Sequence, residues 1–235
     1  DFNDYRMRYG WVKKGIRFLI EGTHYNRQEP GLLNQVGWYT GQKMGRADEQ
    51  KQFRRMFKTD TDFHKTFEQN GVNVDQEEAL GPDVKPDNWL VARLWFNPAV
   101  DGVTGLHKPF RGKSPLLFYT GGPMSQINGS AAMQKDGFFR QRAQLSWQGA
   151  ADEWNRYGNR EIPTSAGFNI RLNDLEALQQ KLADMDKQID ELAPGVREKI
   201  REEKMAELTE EERALVGTSA KATTQEDYQR ASELE

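Results

Sequence analysis

Cysteine is missing from this 235-residue chain. Its absence removes disulfides, thiolate metal sites and a cysteine nucleophile, and leaves the compartment open, since proteins on either side of a membrane do without it. A basic surplus is missing too: 33 Lys and Arg against 36 Asp and Glu give a formal net charge of −3. No long-range field then favours a phosphate backbone, so nucleic acid is not an expected partner. No run approaches the roughly 18 consecutive apolar residues of a membrane-crossing helix, and no span is expected within the chain. Aromatic residues are nearly missing from one end, because all six Trp and all twelve Phe lie at or before Phe168 and Tyr228 is the only aromatic beyond Arg171. That end cannot build a wide core, which divides the chain into a helical body over 1–170 and a polar tail over 171–235. The chain opens at Asp1 rather than Met, which suggests an upstream segment, a signal or an anchor, that has been removed.

What is present is helical periodicity. Over 4–26, Tyr5, Tyr9, Val12, Ile16, Leu19 and Thr23 recur at steps of three and four, while Trp11, Gly15, Phe18, Gly22 and Tyr25 make a second stripe. Two stripes predict burial on both sides, with the glycines admitting a neighbouring backbone. After a break at Pro30, a second helix is expected to turn Leu33, Val36, Gly37, Thr40, Gly41 and Met44 inward and to stop at Gly45. A third helix, from Ala47 to about Lys58, places Phe53 and Phe57 on one face. The spacing of Leu33, Val36, Gly37 and Thr40, followed by Phe53, resembles a tetratricopeptide repeat within residues 4–58, with Glu49 standing where that repeat carries Ala.

Between about 59 and 135 the pattern gives way to an irregular, Gly- and Pro-rich insert with turn signals at Asn70-Gly71 and Gly81-Pro82. Asp87 predicts the cap of a short helix carrying Trp89, Ala92 and Phe96 that ends at Asn97-Pro98. Leu116 to Tyr119 reads as a buried strand or extended segment. Periodicity returns with Phe139, Ala143, Trp147, Ala150, Trp154 and Tyr157, and Gly158 suits the left-handed position after a helix. Ile162-Pro163 and Phe168 to Leu172 form an extended connector. In the tail, Leu175, Leu178, Leu182, Met185, Ile189 and Leu192 alternate steps of three and four as a coiled-coil seam does. Pro194-Gly195 interrupts it before a helix with Val196, Ile200 and Met205, which either folds back or continues past a kink. Thr209 to Glu212 and Thr223 to Glu226 are capping-box signals. The expected fold is mainly α: repeat-like helical hairpins, an irregular insert and a C-terminal helical extension.

Three segments carry a wider resemblance: Tyr9-Gly10-Trp11-Val12-Lys13-Lys14-Gly15-Ile16, Gly41-Gln42-Lys43-Met44-Gly45-Arg46-Ala47-Asp48-Glu49, and Tyr157-Gly158-Asn159-Arg160-Glu161-Ile162-Pro163-Thr164-Ser165. Through them the chain resembles an uncharacterised bacterial family of large envelope-associated proteins with tetratricopeptide-like segments, often labelled "iron responsive element". The resemblance implies an extracytoplasmic or membrane-tethered setting, with a cytoplasmic one as the alternative. It brings no established activity and no catalytic residues.

Asp60, Asp62 and His64 alternate as ligands on an extended strand do, with Glu68 further on, and oxygen plus imidazole would suit a divalent metal. The competing reading makes Asp60 and Asp62 caps of a helix containing Phe63 and Phe67. Glu21 and His24 sit at helical spacing for an acid/base pair without a nucleophile nearby. Gly112-Lys113-Ser114 fails as a phosphate loop, because His107 replaces the upstream Gly and Pro115 obstructs the helix that should follow. Asn128-Gly129-Ser130 fits the glycosylation triplet and reads better as a turn. No cofactor is expected.

The reading that fits these observations is a non-enzymatic scaffold or interaction module, with protein partners that include a second copy of the chain. The α-helical seam Leu175 to Leu192 packs either on a partner or on the body itself. Two alternatives stay open: a metal-dependent or small-molecule enzyme using Asp60, Asp62 and His64, and a peptide- or glycan-binding module using Trp38 and Tyr39.

Overall fold

The computed structural model describes residues 4–26, 29–107, 114–164, 167–216 and 229. The protein is mainly α-helical. It divides into two compact units, Asp1–Asp174 and Leu175–Glu235.

In the first unit Asp4 caps α1 (Tyr5–Tyr25) by accepting the Arg6 N–H. Tyr9, Ile16 and Ile20 on one side of α1 are buried, Tyr9 edge-on to Phe53 at 5.6 Å, and α1 packs on α2 (Pro30–Gly45), which starts with proline at its first turn, where no amide hydrogen bond is lost. The second stripe of α1 departs from expectation: Trp11, Phe18 and Tyr25 are exposed, and a Cβ on Gly15 would meet nothing within 4 Å, while Gly22 lies beside Leu32 of α2. Two short helices, α3 (Gln50–Phe57) and α4 (Thr61–Glu68), then plug the space beside α1 with Phe53, Phe57, Phe63 and Phe67, all fully buried. Phe57 meets Phe63 and Phe67 edge-on at 5.9 and 6.0 Å. Each such ring removed from water contributes about 1.5–3 kcal/mol.

The stretch 59–135 is less irregular than its composition suggests. Residues 69–87 are turns, a 3₁₀ turn and an isolated bridge from Leu80 to Pro86. Around them stand α4, α5 (Asn88–Thr104), α6 (Pro115–Phe118) and α7 (Gly121–Lys135). Helix α5 does not stop at Asn97-Pro98 but runs through Pro98, and Leu116 to Tyr119 is helix and turn rather than strand. The Gly-rich composition has a packing cause. A Cβ on Gly41 would lie 2.9 Å from the Trp89 ring, one on Gly37 would lie 3.0 Å from Phe96, and one on Gly45 or Gly121 would overlap the Trp89 or Phe96 ring respectively. Glycines of α2 and α7 thus receive the aromatic side of α5 from both directions. The interlock expected between α2 and α3 is made between α2 and α5, and Gly45 ends α2 in helical conformation rather than left-handed.

α7 packs in turn on α8 (Gln141–Gly158) through hydroxyl and amide contacts: Ser130 and Ser146 share a 2.7 Å hydrogen bond, and Gln126 donates to the Ser146 hydroxyl at 3.1 Å. Gly158 is likewise helical, and its missing side chain leaves room for Asn173. Two-residue strands β1 (Ile162–Pro163) and β2 (Asn169–Ile170) pair antiparallel in the expected connector. One guanidinium ties three helix ends together. Arg54 of α3 lies 3.1 Å from Asp87, the N-cap of α5, and 3.0 Å from Asp136, the C-cap of α7.

The second unit is built of α9 (Leu175–Leu192), α10 (Val196–Glu207) and α11 (Glu210–Leu215). Gly195 takes φ +76° between α9 and α10, a conformation open to glycine, and Arg197 reaches back to Asp186 at 2.5 Å and Asp190 at 3.7 Å. Thr209 and Glu212 form the capping box of α11. The Thr223 to Glu226 signal lies outside the described residues. Among the described residues no helix is long and apolar enough to cross a membrane.

Candidate functional site

Asp60, Asp62 and His64 sit at the start of α4, and the helix winding separates them. Asp60 is the N-cap, accepting the Phe63 amide at 3.0 Å. Its oxygens also accept from Lys13 Nζ at 2.8 and 2.9 Å and from the Tyr9 hydroxyl at 3.1 Å. Asp62 accepts from Arg17 at 2.7 Å and from Lys13 at 3.0 Å. The Arg17 and Lys13 hydrogen bonds hold the Asp62 carboxyl down at about 2. Burial, reinforced by the Asp60 charge, pushes the Tyr9 phenol far above its ordinary range, so Tyr9 serves as a neutral donor. The cluster is therefore an electrostatic clamp between α1 and α4, its anions already matched by cations one helical turn apart.

His64 belongs to the core instead. It is buried against the Phe57 ring at 5.2 Å, and burial lowers its pKa below the ordinary 6.5. Its Nε2 is buried without a hydrogen-bond partner among the described residues. Among these residues no group of three or more His, Asp or Glu side chains is placed to hold a metal ion.

The other candidates are dispersed. No hydrogen bond or ion pair joins Glu21 to His24 among the described residues; His24 lines a shallow cavity with Trp95 and Pro98. Residues 112 and 113 of the failed phosphate loop lie outside the described residues. Asn128-Gly129-Ser130 is inside α7 rather than a turn, with Ser130 fully buried. Trp38 stands at the lip of a groove of about 310 Å³ floored by Gly37 and Gly41 and walled by Trp89, Phe96 and Leu117. Its ring meets Tyr39 edge-on at 5.0 Å, so the two do not spread into a flat platform.

The seam keeps its geometry. Leu175, Leu178, Leu182, Met185, Ile189 and Leu192 all lie on α9, which has no buried residue, and they are 43–86% exposed. At a rise of about 1.5 Å per residue the apolar line runs for roughly 27 Å. Comparison with protein-family models, curated proteins and solved structures finds no match for the chain.

Proposed function

We propose that the chain is a non-enzymatic interaction module, a scaffold of helical hairpins whose α9 offers its seam to a helical protein partner, a second copy included. One observation carries this reading: six large apolar side chains in unbroken three-four spacing stand in water along one helix face. Scattered exposed apolar residues need no explanation, but a continuous line of them is removed from water by a partner helix with the same repeat. The cation-matched Asp60 and Asp62 favour a structural over a catalytic role for that cluster. Close packing of glycines against aromatic rings between α2, α5 and α7 is in keeping with a repeat-like array. The family resemblance supports an extracytoplasmic, membrane-tethered setting.

The test is light scattering on the full chain, with retention of candidate helical partners measured alongside. Leu182→Asp with Ile189→Asp is expected to lower the associated mass or release the partner while leaving the circular dichroism intact. A mass and a partner retention both unmoved by that pair of charges would remove the seam from the account.

A further inference from the structure

The exposed stripe of α1 lies on a different unit from the seam and has its own chemistry. Trp11, Gly15, Phe18, Gly22 and Tyr25 alternate large and small at steps of four and three, on the side of α1 opposite the buried Tyr9, Ile16 and Ile20. A Cβ placed on Gly15 would meet nothing within 4 Å, so an open notch stands beside Phe18. Lys14 and Glu21 are exposed along one flank, and neither makes an ion pair among the described residues; the Lys14 ammonium rests 4.6 Å above the Trp11 ring.

We infer that α1 is a homodimer face: two copies of the chain pack their α1 helices antiparallel, the Phe18 of each entering the notch over Gly15 of the other. The alternation selects the direction. In a parallel, in-register pair, Phe18 would face Phe18 and Gly15 would face Gly15, which leaves gaps beside collisions. Reversing one helix sets Phe18 opposite Gly15 twice, a self-complementary arrangement about a two-fold axis, while the space over Gly22 is already taken by Leu32 of the same chain. The same reversal brings Lys14 of each copy beside Glu21 of the other, two opposite-charge pairs that the parallel arrangement does not make.

The area is sufficient. Met7, Trp11, Phe18 and Tyr25 are 53–82% exposed. With about 150–250 Å² for a whole aromatic side chain, they supply roughly 500 Å² per copy and about 1,000 Å² in the pair, where specific interfaces begin.

The experiment uses the full chain carrying Leu182→Asp and Ile189→Asp, so that association through the seam is silenced and the two surfaces are read separately. Analytical ultracentrifugation is expected to find a dimer. Phe18→Asp, a change at an exposed position, should abolish it with the helical signal unchanged, and Gly15→Leu should weaken it by filling the notch. Lys14→Glu alone should weaken it on the order of tenfold, and Lys14→Glu with Glu21→Lys should restore it. Failure of the charge swap to restore affinity overturns the antiparallel arrangement. A chain that stays monomeric at its highest soluble concentration, or a dimer indifferent to Phe18→Asp, overturns the proposal. So does a monomer that binds anionic lipid vesicles through the same stripe.

Discussion

Arg54 holds two carboxylates whose surroundings differ. Asp87 is 1% exposed, whereas the Asp136 side chain keeps 35% of its surface in water. Removing the guanidinium leaves Asp87 as an uncompensated buried charge at the start of α5, and the loss of one partner from such a pair costs about 3–5 kcal/mol. Arg54→Leu is expected to lower stability by that amount in urea titration, while Asp136→Asn, at the wetter end, should cost no more than about 1 kcal/mol. His64 gives a second test at this scale. Its folded pKa lies below the ordinary 6.5 because of burial, so the unfolded chain binds the proton more readily. Stability therefore rises with pH through the interval between the folded pKa and 6.5, and falls on acidification through it. His64→Leu should flatten that part of a stability-against-pH curve measured by denaturant unfolding; an unchanged slope would assign it to other groups.

At the level of single helices the glycines separate into two kinds. Gly45 lies under the Trp89 ring, whereas Gly10 has nothing within 4 Å of where a Cβ would stand. Alanine is the better helix former by up to about 1 kcal/mol, but crowding a rigid ring costs about 1–3 kcal/mol. Gly45→Ala should therefore lower the melting temperature and Gly10→Ala should raise it. The same distinction explains which elements were legible. α1, α2 and α9 announce themselves by apolar residues at helical spacing. α7 does not, because it buries Gly122, Pro123, Ser125, Gln126 and Gly129 rather than a stripe of large side chains, and such residues read as a loop. The outward stripe of α1 was visible as a pattern, but nothing in the pattern tells a face awaiting a neighbour from one that already has it. In the acidic cluster the residue types were visible and their role was not, because Lys13 and Arg17, which neutralise Asp60 and Asp62, come from a helix far upstream in the chain.

Across the whole molecule, the first unit closes its core with phenylalanine rings, and the second leaves its apolar line in water. Two self-association faces on separate units would link copies alternately through α1 and α9, and such linkage grows with concentration unless the rotations close a ring. The unsubstituted chain should then show a mass that climbs beyond the dimer in sedimentation. Phe18→Asp together with Leu182→Asp and Ile189→Asp should give a monomer.

Pro98, inside α5, has a consequence for how this body breathes. Lacking an amide, it cannot bond the Leu94 carbonyl, so the ladder of α5 has a missing rung just past Trp95. The turns before it are wedged between the glycines of two neighbouring helices; those after it have no such grip. Amide exchange should divide the helix there, with the segment beyond Pro98 opening on its own and the preceding turns exchanging only when the whole first unit comes apart.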